Sequence, residues 1–78
     1  MTRQEHLDWC KQRALGELHY EGYSSEQAIR NAITSMGSDL RKHPETEKHS
    51  GLALGMLMLV GGQFKTKADV EKFIGGFN

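Results

Sequence analysis

The stretch Gly51–Val60, GLALGMLMLV, decides the fold. It holds ten residues without one charged, hydroxyl or amide side chain. Such a run is a membrane span, a buried core helix or a docking surface. A spanning helix needs about 20 apolar residues. Lys48, His49 and Ser50 stand on one side of this run, and Gly61, Gly62, Gln63 and Lys65 on the other. It has about half the needed length, so no membrane association is expected. Wound as a helix, Leu52, Leu54, Met56, Leu57, Met58, Leu59 and Val60 cover every azimuth. A helix apolar all round is buried on all sides. The stretch therefore reads as the central helix of a small bundle, one flank of which a second copy or a partner can finish. Gly51 and Gly55 are four apart, share a face and let another backbone come close. With Met56 and Leu59 they are the candidate packing and self-association residues.

Outward from this run the chain reads as three more helices. Toward the N-terminus, Thr2-Arg3-Gln4-Glu5 fits a capping box, with Leu7, Cys10, Ala14 and Leu18 in one stripe behind it. This helix is expected to stop near Tyr20 to Gly22, with Gly22 as the natural end. Ser24 to Gln27 offers a second cap, and Ile29, Ala32, Ile33, Met36 and Leu40 follow at helical spacing. Arg41, Lys42 and His43 place positive charge where a helix C-terminus favours it. Pro44, the only proline, suits a first helical turn, and Glu45 and Glu47 follow it. The central helix is therefore expected from Pro44 to Val60, closed by Gly61-Gly62. A last helix opens at Thr66 with Asp69 three residues on. Val70, Phe73 and Ile74 form its apolar face, and Phe77 extends it only if it docks. The expectation is all-α: a compact bundle of about four short helices, an N-terminal antiparallel hairpin and a central apolar third helix, in one domain over residues 1–78.

Seventy-eight residues bury a small share of their surface, so a homodimer is a live option from length alone. The chain is 37% hydrophobic and 26% charged, too apolar for disorder. Ten basic residues balance ten acidic ones, so no net field draws the chain to nucleic acid or anionic lipid. One cysteine and a polar N-terminus without an apolar signal core point to a reducing, cytoplasmic compartment.

No catalytic motif is present. His6 and Cys10, four apart on one helix, could share a metal, but a closed zinc site needs about four ligands and no CxxC or HxxxH completes it. Cys10 as a nucleophile would need a base such as His6; the plainer reading is a buried thiol. The segment GGQFKTKAD lacks P-loop spacing. No cofactor is expected, and the protein is read as non-enzymatic. Trp9, Tyr20 and Tyr23 are more aromatic surface than so small a core needs. They are the candidate partner-binding residues, because Trp and Tyr are enriched in hot spots; the alternative is that the tyrosines cover the hairpin turn. The basic residues Arg30, Arg41, Lys42 and Lys48 are candidate nucleic-acid contacts in a second reading, that of a small transcriptional regulator. That reading is weak because the helix placed to read DNA would be the most apolar one.

Four stretches carry a resemblance: MTRQEHLDWCKQRAL, SMGSDLRKHPET, LGMLMLVGGQF and KFIGGFN. The pattern resembles small proteins of tailed bacteriophages and prophages. It departs from them at HYEGYSSEQAIRN, where a tighter Gly-Asp type of turn is the pattern. The resemblance implies a virus-encoded protein working in a bacterial cytoplasm, and it brings no catalytic residues with it. Together the residues and the resemblance suggest a small protein that binds another protein of host or phage, and that can pair with itself.

Overall fold

Thr2 opens the first helix as its spacing to Glu5 predicts. Its hydroxyl accepts from the Glu5 N–H at 3.1 Å, and the Glu5 carboxylate accepts from the Thr2 N–H at 2.9 Å. The Thr2 N–H, and after it the Thr2 hydroxyl, hold the Glu5 carboxyl below its usual pKa. In the computed structural model, which describes residues 2–77, four helices follow in chain order. They are α1 (Arg3–Leu18), α2 (Ser25–Leu40), α3 (Ser50–Val60) and α4 (Lys67–Gly75). The chain is an all-α bundle with an N-terminal hairpin, as its periodicity indicates.

α1 stops at Leu18, just short of the expected Tyr20 to Gly22. Ser24 caps α2, its hydroxyl accepting from Gln27 N–H at 3.2 Å. The hairpin is antiparallel: His6, early in α1, meets Asp39, late in α2, while Glu17 and Asn31 both reach Tyr23 at the turn. The two apolar stripes face each other. Leu7, Cys10, Ala14 and Leu18 from α1 and Ile29, Ala32, Ile33, Met36 and Leu40 from α2 form the core. α4 packs against both helices and adds Val70 and Ile74. Thr66 caps α4, and the Asp69 carboxylate accepts from the N–H groups of Lys65 and Thr66, both at 3.0 Å. These bonds lower the Asp69 pKa from its usual 3.8.

Two expectations about the third helix are corrected. It begins at Ser50, not Pro44. Residues 41–48 form successive turns instead. Thr46, fully buried, donates its hydroxyl to the Leu40 carbonyl at 2.6 Å and so folds the segment back on the end of α2. His49 is extended (ψ 131°) and acts as the cap, its Nδ1 accepting from Gly51 N–H at 2.9 Å. The side-chain bonds of Thr46 and His49 outcompete continuous helix between Pro44 and Ser50.

Nor is α3 buried on all sides. Among its residues only Gly55 is fully buried. The helix lies mainly on α2. Leu54, Met56, Leu57 and Val60 are exposed, Val60 by 84%. The inward side is set by rings. Phe64, Phe73, Phe77 and His49 form a chain of aromatic contacts with centroids 4.9–5.3 Å apart. Phe77 docks and is buried. A methyl group at Gly51 would sit 2.6 Å from two carbons of the Phe77 ring, and one at Gly55 would sit 3.1 Å from Phe73 Cζ.

Overpacking of that kind costs about 1–3 kcal/mol, against a helix-propensity gain of about 1 kcal/mol for Gly to Ala. Gly51→Ala therefore lowers stability by about 1 kcal/mol in a urea titration. Gly16→Ala, whose methyl meets nothing within 4 Å, raises it by up to about 1 kcal/mol.

Candidate functional site

Two surfaces bring unusual residues together. The first is polar and lies at the open end of the hairpin. Asp39 belongs to the last turn of α2, and its side chain is only 1% exposed. A carboxylate there faces the negative end of the helix dipole, and burial adds a desolvation cost. Two cations offset both. Arg13 Nε donates to Oδ2 at 2.7 Å, and Lys42 Nζ donates to Oδ1 at 3.1 Å. The same cations flank Trp9, at 4.9 Å and 5.7 Å from the indole centroid. His6 stacks on Trp9 at 5.6 Å and on His43 at 5.0 Å. Trp9 is thus a half-buried ring inside a charged clamp, packed on the core.

His6 and Cys10 do meet, with Sγ 3.5 Å from Nε2. That nitrogen also lies 2.9 Å from the Asp39 carbonyl oxygen. A carbonyl only accepts, so Nε2 carries the proton and cannot serve as base for the thiol. Burial, then the nearby Asp39 charge, pushes the Cys10 thiol up to about 11. The pair forms no activated nucleophile. Among the described residues no group of three or more His, Cys, Asp or Glu side chains is placed to hold a metal ion.

Tyr20 and Tyr23 lie elsewhere, at the hairpin turn, edge to face at 4.6 Å. Tyr20 is 56% exposed, and its ring lies against Gly22, where a side chain would collide with it. Tyr23 hydrogen-bonds Glu17, which keeps the phenol protonated and raises its pKa. Both rings therefore cover the turn and are not joined to Trp9 in one patch. The basic candidates are also dispersed. Arg30 pairs with Glu26 at 3.3 Å, and Lys42 is engaged by Asp39. Arg41 lies exposed at the C-cap of α2 and Lys48 in the turns before α3.

The second surface is the outer side of α3. Ala53, Leu54, Met56, Leu57 and Val60 are all exposed. At about 100° per residue they fall within one arc of roughly 160°. Beside Val60 a groove of about 620 Å³ opens, with Ile29, Leu59 and Phe64 as its apolar walls. Gly51 and Gly55 turn inward to the rings, Leu59 is half-buried at the groove, and Met56 faces out. No helix among the described residues is long and apolar enough to cross a membrane. No protein-family model, curated protein or solved structure matches the chain.

The site residues not singled out from sequence are Arg13, Asp39, Leu54, Leu57 and Val60. Asp39 had a signal. It falls on the apolar stripe, three residues after Met36 and beside Leu40. A carboxylate at such a position needs a partner. Arg13, next to Ala14 on the facing stripe, supplies it.

Arg13→Ala leaves the buried carboxylate with one half-exposed cation, and is expected to cost about 2 kcal/mol in chemical denaturation. Lys42→Ala, the longer contact, is expected to cost about 1 kcal/mol. In the folded protein at pH 8, Cys10 should resist a thiol-specific reagent over hours and react at once in urea; rapid native labelling would show that it is not the protonated, enclosed thiol described here.

Proposed function

We propose that the protein is a small non-enzymatic protein whose protein-binding surface is the outer face of α3. The observation that carries this reading is the exposure of Leu54, Met56, Leu57 and Val60 on one side of one helix. Fully burying each such side chain is worth about 1.5–3 kcal/mol. Scattered apolar residues on a surface need no explanation, but a contiguous patch rimmed by polar residues marks an interaction site. The adjoining groove gives the patch relief, which a flat face lacks. An apolar helix face and a groove are what an amphipathic helix of a partner fits.

The aromatic candidates support the reading less. Trp9 is tied into the Asp39 clamp, and the two tyrosines cover a turn. Nucleic acid is a weaker partner for a further reason: α3 carries no charged side chain, and two of the four basic candidates are spent on carboxylates. The likeness of the sequence to phage and prophage proteins suggests an infected bacterium as the setting in which to look for the partner.

The test is a double variant, Leu57→Glu with Val60→Glu. Both positions are well exposed, so helicity by circular dichroism should be unchanged. Proteins retained by the immobilised wild-type chain from a bacterial lysate should be lost from the variant. Identical capture by the two would remove α3 as the docking face.

A further inference from the structure

The α3 face has a character that selects its occupant. Its centre line is Ala53, Leu57 and Val60, spaced four and three apart as in the seam of a coiled coil. The helix itself, from Ser50 to Val60, contains no charge. Copy against copy, such a seam brings no like charges together. The ends differ in sign. Of the six residues that lead into α3, Glu45, Glu47 and Lys48 leave one net negative charge; Arg41 and Lys42 lie further back, at the end of α2, where Asp39 engages Lys42. Of the six residues that follow α3, Lys65 leaves one net positive charge. Two copies packed head to tail would set each acidic end beside a basic one and oppose their helix dipoles. Packed in parallel they would set like against like.

Resting on the docking role assigned to this face above, we propose that the occupant is a second copy of the chain. The two α3 helices pack antiparallel about a two-fold axis passing near Leu57. In such a pair each flank of α3 lies beside the same flank of the other copy, in reverse order. Met56 stands on the flank that carries the groove at Leu59 and Val60. Helical side chains lean toward their own N-terminus. In an antiparallel pair, that direction points from Met56 of one copy into the groove of the other. Methionine is long, unbranched and suited to irregular gaps. The groove walls of Ile29, Leu59 and Phe64 are apolar to match.

The size of the face sets the class of contact. A standard interface takes about 800 Å² from each partner, about a sixth of the 4875 Å² surface here. An 11-residue helix and its flanks offer less than that, which puts the contact in the size class of transient, reversible pairs.

The experiment is sedimentation equilibrium on the whole chain from roughly 1 to 500 µM, the range that such a face requires. The expected mass rises from 8.8 kDa to double that value with concentration. Leu57→Glu should stay at the lower mass throughout with unchanged helicity. Orientation is read by disulfide trapping. Ala53→Cys mixed with Val60→Cys should cross-link, while Ala53→Cys alone should not; self-trapping of Ala53→Cys would overturn the antiparallel order. A dimer that survives Leu57→Glu would place self-association elsewhere and overturn the proposal. A wild-type chain that stays monomeric throughout would also overturn it. In that case anilinonaphthalene sulfonate decides the fate of the docking reading. Fluorescence enhancement by the wild type that Leu57→Glu abolishes leaves α3 as a face for a different protein; no enhancement by the wild type removes both.

Discussion

Two phenyl rings resting on two glycines decide which way α3 faces. Phe77 lies against Gly51 and Phe73 against Gly55, and both contacts are too close to admit a methyl group without displacement. An 11-residue helix is too short to be stable by itself in water. It exists because it is anchored, and the anchor covers one side. Everything opposite the glycines is then left outside, including Leu57 and Val60. The exposed apolar face is thus the necessary reverse of a packed one. α2 and the aromatic chain from Phe64 through Phe77 to His49 can cover only one side of a helix that has no polar side to offer solvent.

The other end of the molecule solves a different problem. Asp39 occupies a core-facing position at the end of α2, where neither burial nor the helix dipole favours a carboxylate. Arg13 comes from the facing helix and Lys42 from the residues just after α2, so the ion pairs join α1 to α2 and fix how the chain leaves the hairpin. Thr46 continues that control by capping the Leu40 carbonyl. The route from α2 to α3 is long in residues but held at its start, middle and end by Lys42, Thr46 and His49. Buried ion pairs seldom add net stability. Here only the carboxylate is buried and both cations are half-exposed, and a buried carboxylate without its cations would be costly.

The parts legible from sequence were those with local physics. Thr2, Ser24 and Thr66 cap the helices that follow them, because a cap is decided within four residues. The stripes of α1 and α2 are written at helical period, so the hairpin and most of its core could be read directly. The Ser50 start of α3 could not, because Pro44 with Glu45 and Glu47 is an acceptable helix opening by itself. What overrides it is the reach of Thr46 back to Leu40 and the extended backbone at His49. The orientation of α3 was only half legible: Gly51 and Gly55 mark a face for close approach, but not the rings that fill it. A run apolar at every position carries no periodicity, so the rings of α4 and its tail settle which side is inside. For Trp9 the sequence indicated a large aromatic near the surface, but not that a histidine and two cations would enclose it.

That enclosure makes Trp9, the only tryptophan, a resident optical probe of one half of the molecule. Its emission reports the clamp of His6, Arg13 and Lys42, all of which belong to the hairpin or its exit. α3 has no chromophore of its own, and its release would register in backbone dichroism while the indole stayed unchanged. Light absorbed by this protein therefore separates two events that mass alone would merge: the loosening of the scaffold and the detachment of the helix it displays.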